Sequence, residues 1–446
     1  MLASALSPIE ISVQALKPSL LLSAYRLASA GLGAAGPLYL YWRGKIGRDD
    51  FLRRHERLGR SYLARPGGRL ALLHMASSAD TLGAKALVEK LGQLGFTVLL
   101  SIRDPEFGTF QAPRFPPSLH QLSPLDTPQS VKRFLDHWRP DIVLLSGPEI
   151  RPILIFEANR REVPLALVNA RVSARSFLIW RGFLGFSASL LSRLDIALAQ
   201  TNADAERLRA LGARSVRVTG SLKYDVAPAP ADQFALARLV ARIGIRSAWV
   251  ADGIALSEKE IVITAHSHLA RQFSNILTVI VPDNPKHAFE IAQTAAQMGF
   301  IAGIRGADRK TAPFPDIYIA HTADEAGLFY RGAGVVFVGK SLSRGGGKNP
   351  VQAAQLGCAI LHGPEIDEFE DLFAALDNSG GGMLVFDADT LAKQLALLFF
   401  DKAELRSMAR AAAETAEFFG GASTLTIEAI APYIAQVMVA PRAIGG

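Results

Sequence analysis

From Arg69 onward the chain alternates short apolar runs with amphipathic stretches, and that alternation restricts the fold more than any single motif. The runs at residues 70–73, 97–101, 141–146, 164–168 and 195–199 have the length and composition of buried strands. Helical patterns lie between them, for example at 82–94 and 127–137. Strand-helix alternation implies a parallel sheet covered on both faces. Pro228-Ala229-Pro230 interrupts the pattern and reads as a linker. Alternation resumes at 247–251, 277–281, 316–320, 334–338, 358–361 and 383–385, and the end, 401–439, is helical. The expected fold class is α/β, with two Rossmann-like domains and a cleft between them. Ligands in such sheets bind beyond the carboxyl ends of the strands.

A chain of 446 residues with 49% hydrophobic and 20% charged residues can build two large cores, which excludes a disordered chain. The single cysteine, Cys358, excludes a disulfide framework and sits in an apolar run as a small core residue. Nine histidines show no metal-ligand spacing: His266 and His268 are two apart on a helical pattern and face different directions. Asp367, Glu368, Glu370 and Asp371 form an acidic helix start that the helix dipole explains. The net charge of +7 suits anionic partners: nucleic acid, an anionic membrane surface or phosphorylated substrates.

The N-terminus narrows these partners. Residues 20–41 are almost entirely apolar, long enough for a membrane helix, and interrupted by Arg26, Gly31, Gly33 and Gly36-Pro37. Tyr39, Tyr41 and Trp42 end the run as interfacial anchors do, and Arg43, Lys45, Arg48, Arg53, Arg54 and Arg57 follow. A monotopic or single-pass anchor is expected, with the body on the cytoplasmic side.

The segment Gly339-Lys340-Ser341-Leu342-Ser343-Arg344-Gly345-Gly346-Gly347-Lys348-Asn349-Pro350 joins an apolar strand to a helical pattern at 351–356. A glycine-rich turn into a helix can present backbone N–H groups to a phosphate. Its spacing matches neither a Walker A nor a GxGxxG motif, and a flexible capping loop is the plainer reading. Asn349 is a suitable N-cap, with Pro350 at the first helical position.

Four strand-end segments stand in order: His74-Met75-Ala76-Ser77-Ser78-Ala79-Asp80, Ser146-Gly147-Pro148-Glu149-Ile150-Arg151-Pro152, Asn169-Ala170-Arg171-Val172-Ser173-Ala174-Arg175-Ser176 and Gly220-Ser221-Leu222-Lys223-Tyr224-Asp225. With Arg53-Arg54-His55-Glu56-Arg57-Leu58-Gly59 and the glycine loop, they resemble the 3-deoxy-D-manno-octulosonic acid (Kdo) transferases of lipopolysaccharide synthesis. The resemblance runs from about Tyr25 to the C-terminal helices. It implies a GT-B glycosyltransferase: a membrane anchor and basic flank (1–45), an acceptor domain (46–230) and a nucleotide-sugar domain (231–446). It also implies inverting transfer of Kdo from CMP-Kdo to a lipid A precursor at the cytoplasmic face of an inner membrane, with no metal, cofactor or nucleic acid.

The resemblance assigns the catalytic base to Asp80, where the family has Glu. The shorter side chain moves the carboxylate, and about 1 Å of misplacement can lower a rate roughly 100-fold. An N-cap is the alternative role for Asp80. Glu149 and Lys223 complete the catalytic set; Lys223 would stabilise developing negative charge. Arg171, Arg175 and Ser77 would bind substrate, the arginines through bidentate pairing. The nucleotide set is Pro282, Asp283, Asp324, Glu325, Gly346, Gly347, Lys348, Asn349 and Gln352. Here the pattern departs: Gly253-Ile254-Ala255 replaces Ser-Thr-His, Asp283 stands for Arg, Lys348 for His, and Gln352 for Glu. A divergent transferase for another nucleotide sugar or acceptor, or a silent paralogue that binds lipid or a partner, are the alternatives.

Overall fold

The computed structural model describes residues 19–45, 52–75, 81–103, 118–147, 150–306, 315–320 and 325–439. The chain forms two compact units, Met1–Asp225 with Gly421–Gly446, and Val226–Gly420.

The first unit holds β1 (Arg69–Met75), β2 (Phe96–Ile102), β3 (Leu119–Leu122), β4 (Ile142–Ser146), β5 (Leu165–Ala170), β6 (Ile196–Ala199) and β7 (Val216–Val218). They form a sheet in the order β3-β2-β1-β4-β5-β6-β7, and every neighbouring pair is parallel. Alternate β1 side chains serve two cores: Leu70 and Leu72 pack with Val131, Phe134 and Trp138, and Ala71, Leu73 and Met75 pack with Leu87 and Leu91. That is why β1 is apolar throughout.

The second unit repeats the plan with β8 (Ser247–Ile254), β9 (Ile276–Pro282), β10 (Ala302–Ile304), β11 (Ile317–Ile319), β12 (Val335–Val338), β13 (Ala359–His362) and β14 (Gly382–Leu384). Their order is β10-β11-β9-β8-β12-β13-β14, again all parallel. In each sheet the winding direction reverses once, between β1 and β4 and between β8 and β12. Crevices for ligands open beyond the strand ends at such points.

The closing helix Ala422–Val439 belongs to the first unit, although the sequence places 231–446 in one domain. Ala422, Ala429, Ile430, Ile434 and Val437 fill the core beside Leu87, Leu91 and Leu222, and Asp225 fixes its start by accepting from Gly421 N (3.1 Å) and Ser423 N (2.6 Å). The helical stretch Lys402–Val439 is long and apolar enough to cross a membrane, but this packing marks it as core.

The N-terminal helix α1 (Leu20–Lys45) docks on the first unit by a narrow stripe: Leu22, Ser29, Gly36 and Leu40 are buried. Gly36 lies against Leu125 and Leu58, in a place where a Cβ would make ordinary contact. The other faces are apolar too, yet exposed: Leu20, Leu27, Leu32 and Leu38 are between 69% and 90% accessible.

Candidate functional site

In the second unit the site is built around the turn after β12. Gly339 meets the Gly253 backbone so closely that a Cβ would lie 2.5 Å from Gly253 O. Lys340 follows with φ of 58°, in the left-handed region. The fully buried Glu258 carboxylate holds this turn, accepting from Lys340 N (2.7 Å), Leu342 N (2.9 Å) and Ala255 N (3.2 Å). Three backbone donors compensate its burial and make the loop rigid.

Gly346 and Gly347 have φ of 72° and 75°, as the loop requires. The Gly347 and Lys348 N–H groups, read from the sequence as facing a phosphate, instead donate inside the loop to Lys340 O (2.9 Å) and Gly339 O (3.1 Å). The following helix is Val351–Gln355, little more than one turn. Pro350 is its N-cap, one position later than expected, and the Asn349 side chain accepts from Val351 N at 3.0 Å.

The loop lysines meet carboxylates. Lys348 Nζ lies 2.6 Å from Oδ1 of Asp252, a 2%-exposed residue near the end of β8, and Tyr330 OH donates to the other oxygen at 2.6 Å. Burial, with Asp252 beside it, raises the Tyr330 phenol well above its ordinary pKa, so it stays a donor. Lys340 Nζ lies 3.5 Å from Asp283 Oδ2, and His287 Nδ1 is 2.9 Å from Asp283 Oδ1. Asp283 is therefore a paired carboxylate just beyond Pro282, the last residue of β9. Glu325 accepts from Arg305. The Gln352 amide donates to Ala227 O at 2.8 Å and tethers the start of this unit. Cys358 is buried, which pushes its thiol up to about 12 and leaves it unreactive.

In the first unit, Lys223 lies in the turn Leu222–Tyr224, with its Nζ 4.7 Å from the Tyr224 ring centre. The turn presses on the helix Thr81–Gln93: a Cβ on Gly83 would lie 2.0 Å from Leu222 O. Asn169, with φ of 53°, accepts from Leu222 N at 3.0 Å. Lys223 is thus held beside the helix that follows residues 76–80. Asp80, Ser77, Glu149 and Asp324 lie outside the described residues. Arg171 and Arg175 are exposed after β5, and Ser173 between them caps the helix Ala174–Gly182.

The sequence reading missed a polar network at the ends of β1, β2 and β3. His74 Nδ1 lies 3.0 Å from Ser123 Oγ and 3.4 Å from Ser101 Oγ. The Arg151 guanidinium donates to Ser123 Oγ and Pro124 O, and its Nε is 3.6 Å from Asp126 Oδ1. Asp126 in turn caps the helix Pro152–Arg160, accepting from Ile153 N (3.1 Å) and Leu154 N (3.2 Å). Asp252, Glu258 and Tyr330 were missed as well. A polar residue placed at the end of an apolar strand was the available signal for His74, Ser101 and Asp252.

Two parallel-sheet units, each with polar groups beyond a winding reversal, define an enzyme architecture shared with nucleotide-sugar enzymes. The UDP-GlcNAc 2-epimerase of Neisseria meningitidis, solved bound to UDP-GlcNAc, matches 81% of this chain and 100% of its own with a TM-score of 0.54; at 14% identity this likeness concerns the fold. Residues 52–226 match the family 3-Deoxy-D-manno-octulosonic-acid transferase (kdotransferase). The 3-deoxy-D-manno-octulosonic acid transferase of Bordetella pertussis is 30% identical over 424 residues, 92% of this chain and 99% of that protein. That of Haemophilus influenzae is 25% identical over 377 residues, 81% and 86% of the two chains. The chain belongs to the 3-deoxy-D-manno-octulosonic acid transferase family.

Proposed function

We propose that this glycosyltransferase moves Kdo from CMP-Kdo to a lipid A precursor, with inversion, at the cytoplasmic face of an inner membrane. The observation that carries the reading is the 30% identity to a Kdo transferase over nearly the full length of both chains. The two units are the acceptor and donor halves of the GT-B plan. Asp80 takes the acceptor hydroxyl's proton as the oxygen attacks the anomeric carbon of Kdo, and CMP leaves from the opposite face. Lys223, held beside the helix that follows Asp80, offsets the negative charge that develops. Glu149 orients the acceptor, and Arg171 and Arg175 receive its anionic groups. The donor occupies the crevice beyond β8 and β12, against the 345–350 loop.

The exposed apolar faces of α1 support membrane attachment. A helix apolar all round, buried along one stripe only, leaves apolar surface for a lipid phase. Leu178, Ile179 and Phe183 add exposed apolar groups on a neighbouring helix, with Arg175 and Arg181 among them. Such pairing of apolar and basic groups suits a helix lying in the interface.

A specific observation favours a second reading, a transferase for a different donor: both lysines of the donor loop are already matched with carboxylates. The test is transfer from CMP-Kdo, generated in place, to a lipid A precursor in detergent, followed by mass spectrometry of the lipid. A lipid heavier by one or more Kdo units supports the first reading. An unmodified acceptor, with no calorimetric heat on adding CMP, removes it and leaves the second.

A further inference from the structure

The glycine loop of the second unit is anchored by one side chain. The fully buried Glu258 accepts through Oε2 from Ala255 N (3.2 Å) and Lys340 N (2.7 Å), and through Oε1 from Leu342 N (2.9 Å). These partners are backbone N–H groups, so the carboxylate is compensated by the shape of the chain around it. It ties together two turns from different strands: Ala255 directly follows β8, and residues 340–342 follow β12. The winding of the sheet reverses between these two strands, where such folds bind ligands.

The tie reaches the loop through the Lys340 backbone. A φ of 58° is unfavourable for a residue with a Cβ, and the hydrogen bond to Glu258 offsets that strain. Lys340 O then accepts from Gly347 N at 2.9 Å, and Gly339 O from Lys348 N at 3.1 Å. A Cβ on Gly345 would lie 2.8 Å from Lys340 Cβ, so the loop is also closely packed on this residue. Dependence therefore runs from Glu258 to the backbone of Lys340, and from there to Gly347 and Lys348. Glu258→Gln would leave one acceptor oxygen and turn an amide donor towards the remaining backbone donors, so the three bonds could not all survive.

We propose that Glu258 is a positioning residue for the sugar donor: it sets the backbone of the glycine loop in the shape the donor binds. This rests on the reading that the donor lies against residues 345–350. The test is steady-state transfer from CMP-Kdo to a lipid A precursor by the full chain, with melting temperatures measured beside it. In Glu258→Gln the donor KM should rise about tenfold, because a loop in its binding shape about a tenth of the time binds with about a tenth of the affinity. The kcat and the acceptor KM should stay within about twofold. Ala255→Pro removes one donor to Glu258, at a φ of −69° that proline adopts, and should raise the donor KM about threefold. Glycine adopts the left-handed region without strain, so Lys340→Gly added to Glu258→Gln should recover part of the donor affinity. Lys340→Ala loses the same ammonium group but keeps a Cβ, and should recover none. A lower melting temperature with an unaltered donor KM in both single variants makes Glu258 structural only and overturns the proposal, as does equal recovery by Lys340→Gly and Lys340→Ala. Where Glu258→Gln does not fold, Ala255→Pro decides. A wild type that transfers nothing from CMP-Kdo removes the donor reading, and this proposal with it.

Discussion

The two units share a fold plan but hold their basic side chains with different partners. In the first, the buried Arg151 donates to neutral oxygens, Ser123 Oγ and Pro124 O, with the Asp126 carboxylate 3.6 Å from its Nε. In the second, both loop lysines have carboxylate partners, Lys348 with Asp252 and Lys340 with Asp283. A site with internal pairs must open them before a ligand phosphate can use the lysines, and the ligand's affinity is lowered by that exchange. The lysines of the second unit's loop are thus neutralised within the fold itself.

The largest expected effect tests whether the first unit also carries the chemistry. Asp80→Asn keeps the shape and removes the base, and transfer should fall by about 100-fold or more. Unchanged transfer would remove Asp80 from the reaction and leave it the helix-capping role. Asp80→Glu should raise the rate if side-chain reach is limiting.

A second effect belongs to the second unit alone. His266 is buried against Phe300, with Nδ1 2.8 Å from Thr278 Oγ1, and burial depresses its pKa to about 4. The unfolded chain then binds the extra proton between about pH 6.5 and 4, so folded stability falls as pH drops through that window, by up to about 3 kcal/mol. Urea midpoints measured from pH 7 to 4.5 should decline, and less steeply in His266→Leu. Parallel declines would exclude His266 as the source.

Breaking the Lys348 pair sharpens the electrostatic contrast directly. Asp252→Asn should lower stability by about 2 kcal/mol, because a charged hydrogen bond to a buried carboxylate is lost. It should also tighten CMP binding by freeing Lys348 for a phosphate. Destabilisation with unaltered affinity would mean that the pair is structural only. The smallest effect is expected for Asp283→Arg with Gln352→Glu, which should strengthen CMP binding about tenfold through a charged contact at each end of the nucleotide. If neither wild type nor double variant gives calorimetric heat with CMP, the donor is not a cytidine nucleotide.

Most of the fold was legible because interior parallel strands must be apolar on both faces. The runs read at 70–73 and 97–101 lie within β1 and β2, and the run at 334–338 covers β12 with one residue to spare. The strands passed over, Leu119–Leu122, Val216–Val218 and Ala302–Ile304, are short edge strands. Partly exposed edges carry polar residues such as His120 and Arg217 and need no continuous apolar run. The site was less legible. Lys348 announced its charge, but its partner lies 96 residues earlier and meets it only because β8 and β12 are neighbours. His74, Ser101, Ser123 and Arg151 come from four separate segments, so no local pattern marks their network. The free backbone donors inferred for the glycine loop failed for a different reason. A tight loop closes its own hydrogen bonds, and sequence spacing does not tell inward from outward N–H groups.

The return of the helix Ala422–Val439 to the first unit affects the order in which this chain matures. The second unit is one continuous stretch, so all of its core residues are made before the final helix begins. The first unit begins earlier but waits longer, since Ile430, Ile434 and Val437 must close over Leu87 and Leu91 from the far end of the sequence. Until then it carries an open apolar groove, and a stop placed just after Gly420 would injure the first unit while leaving the residues of the second unit complete.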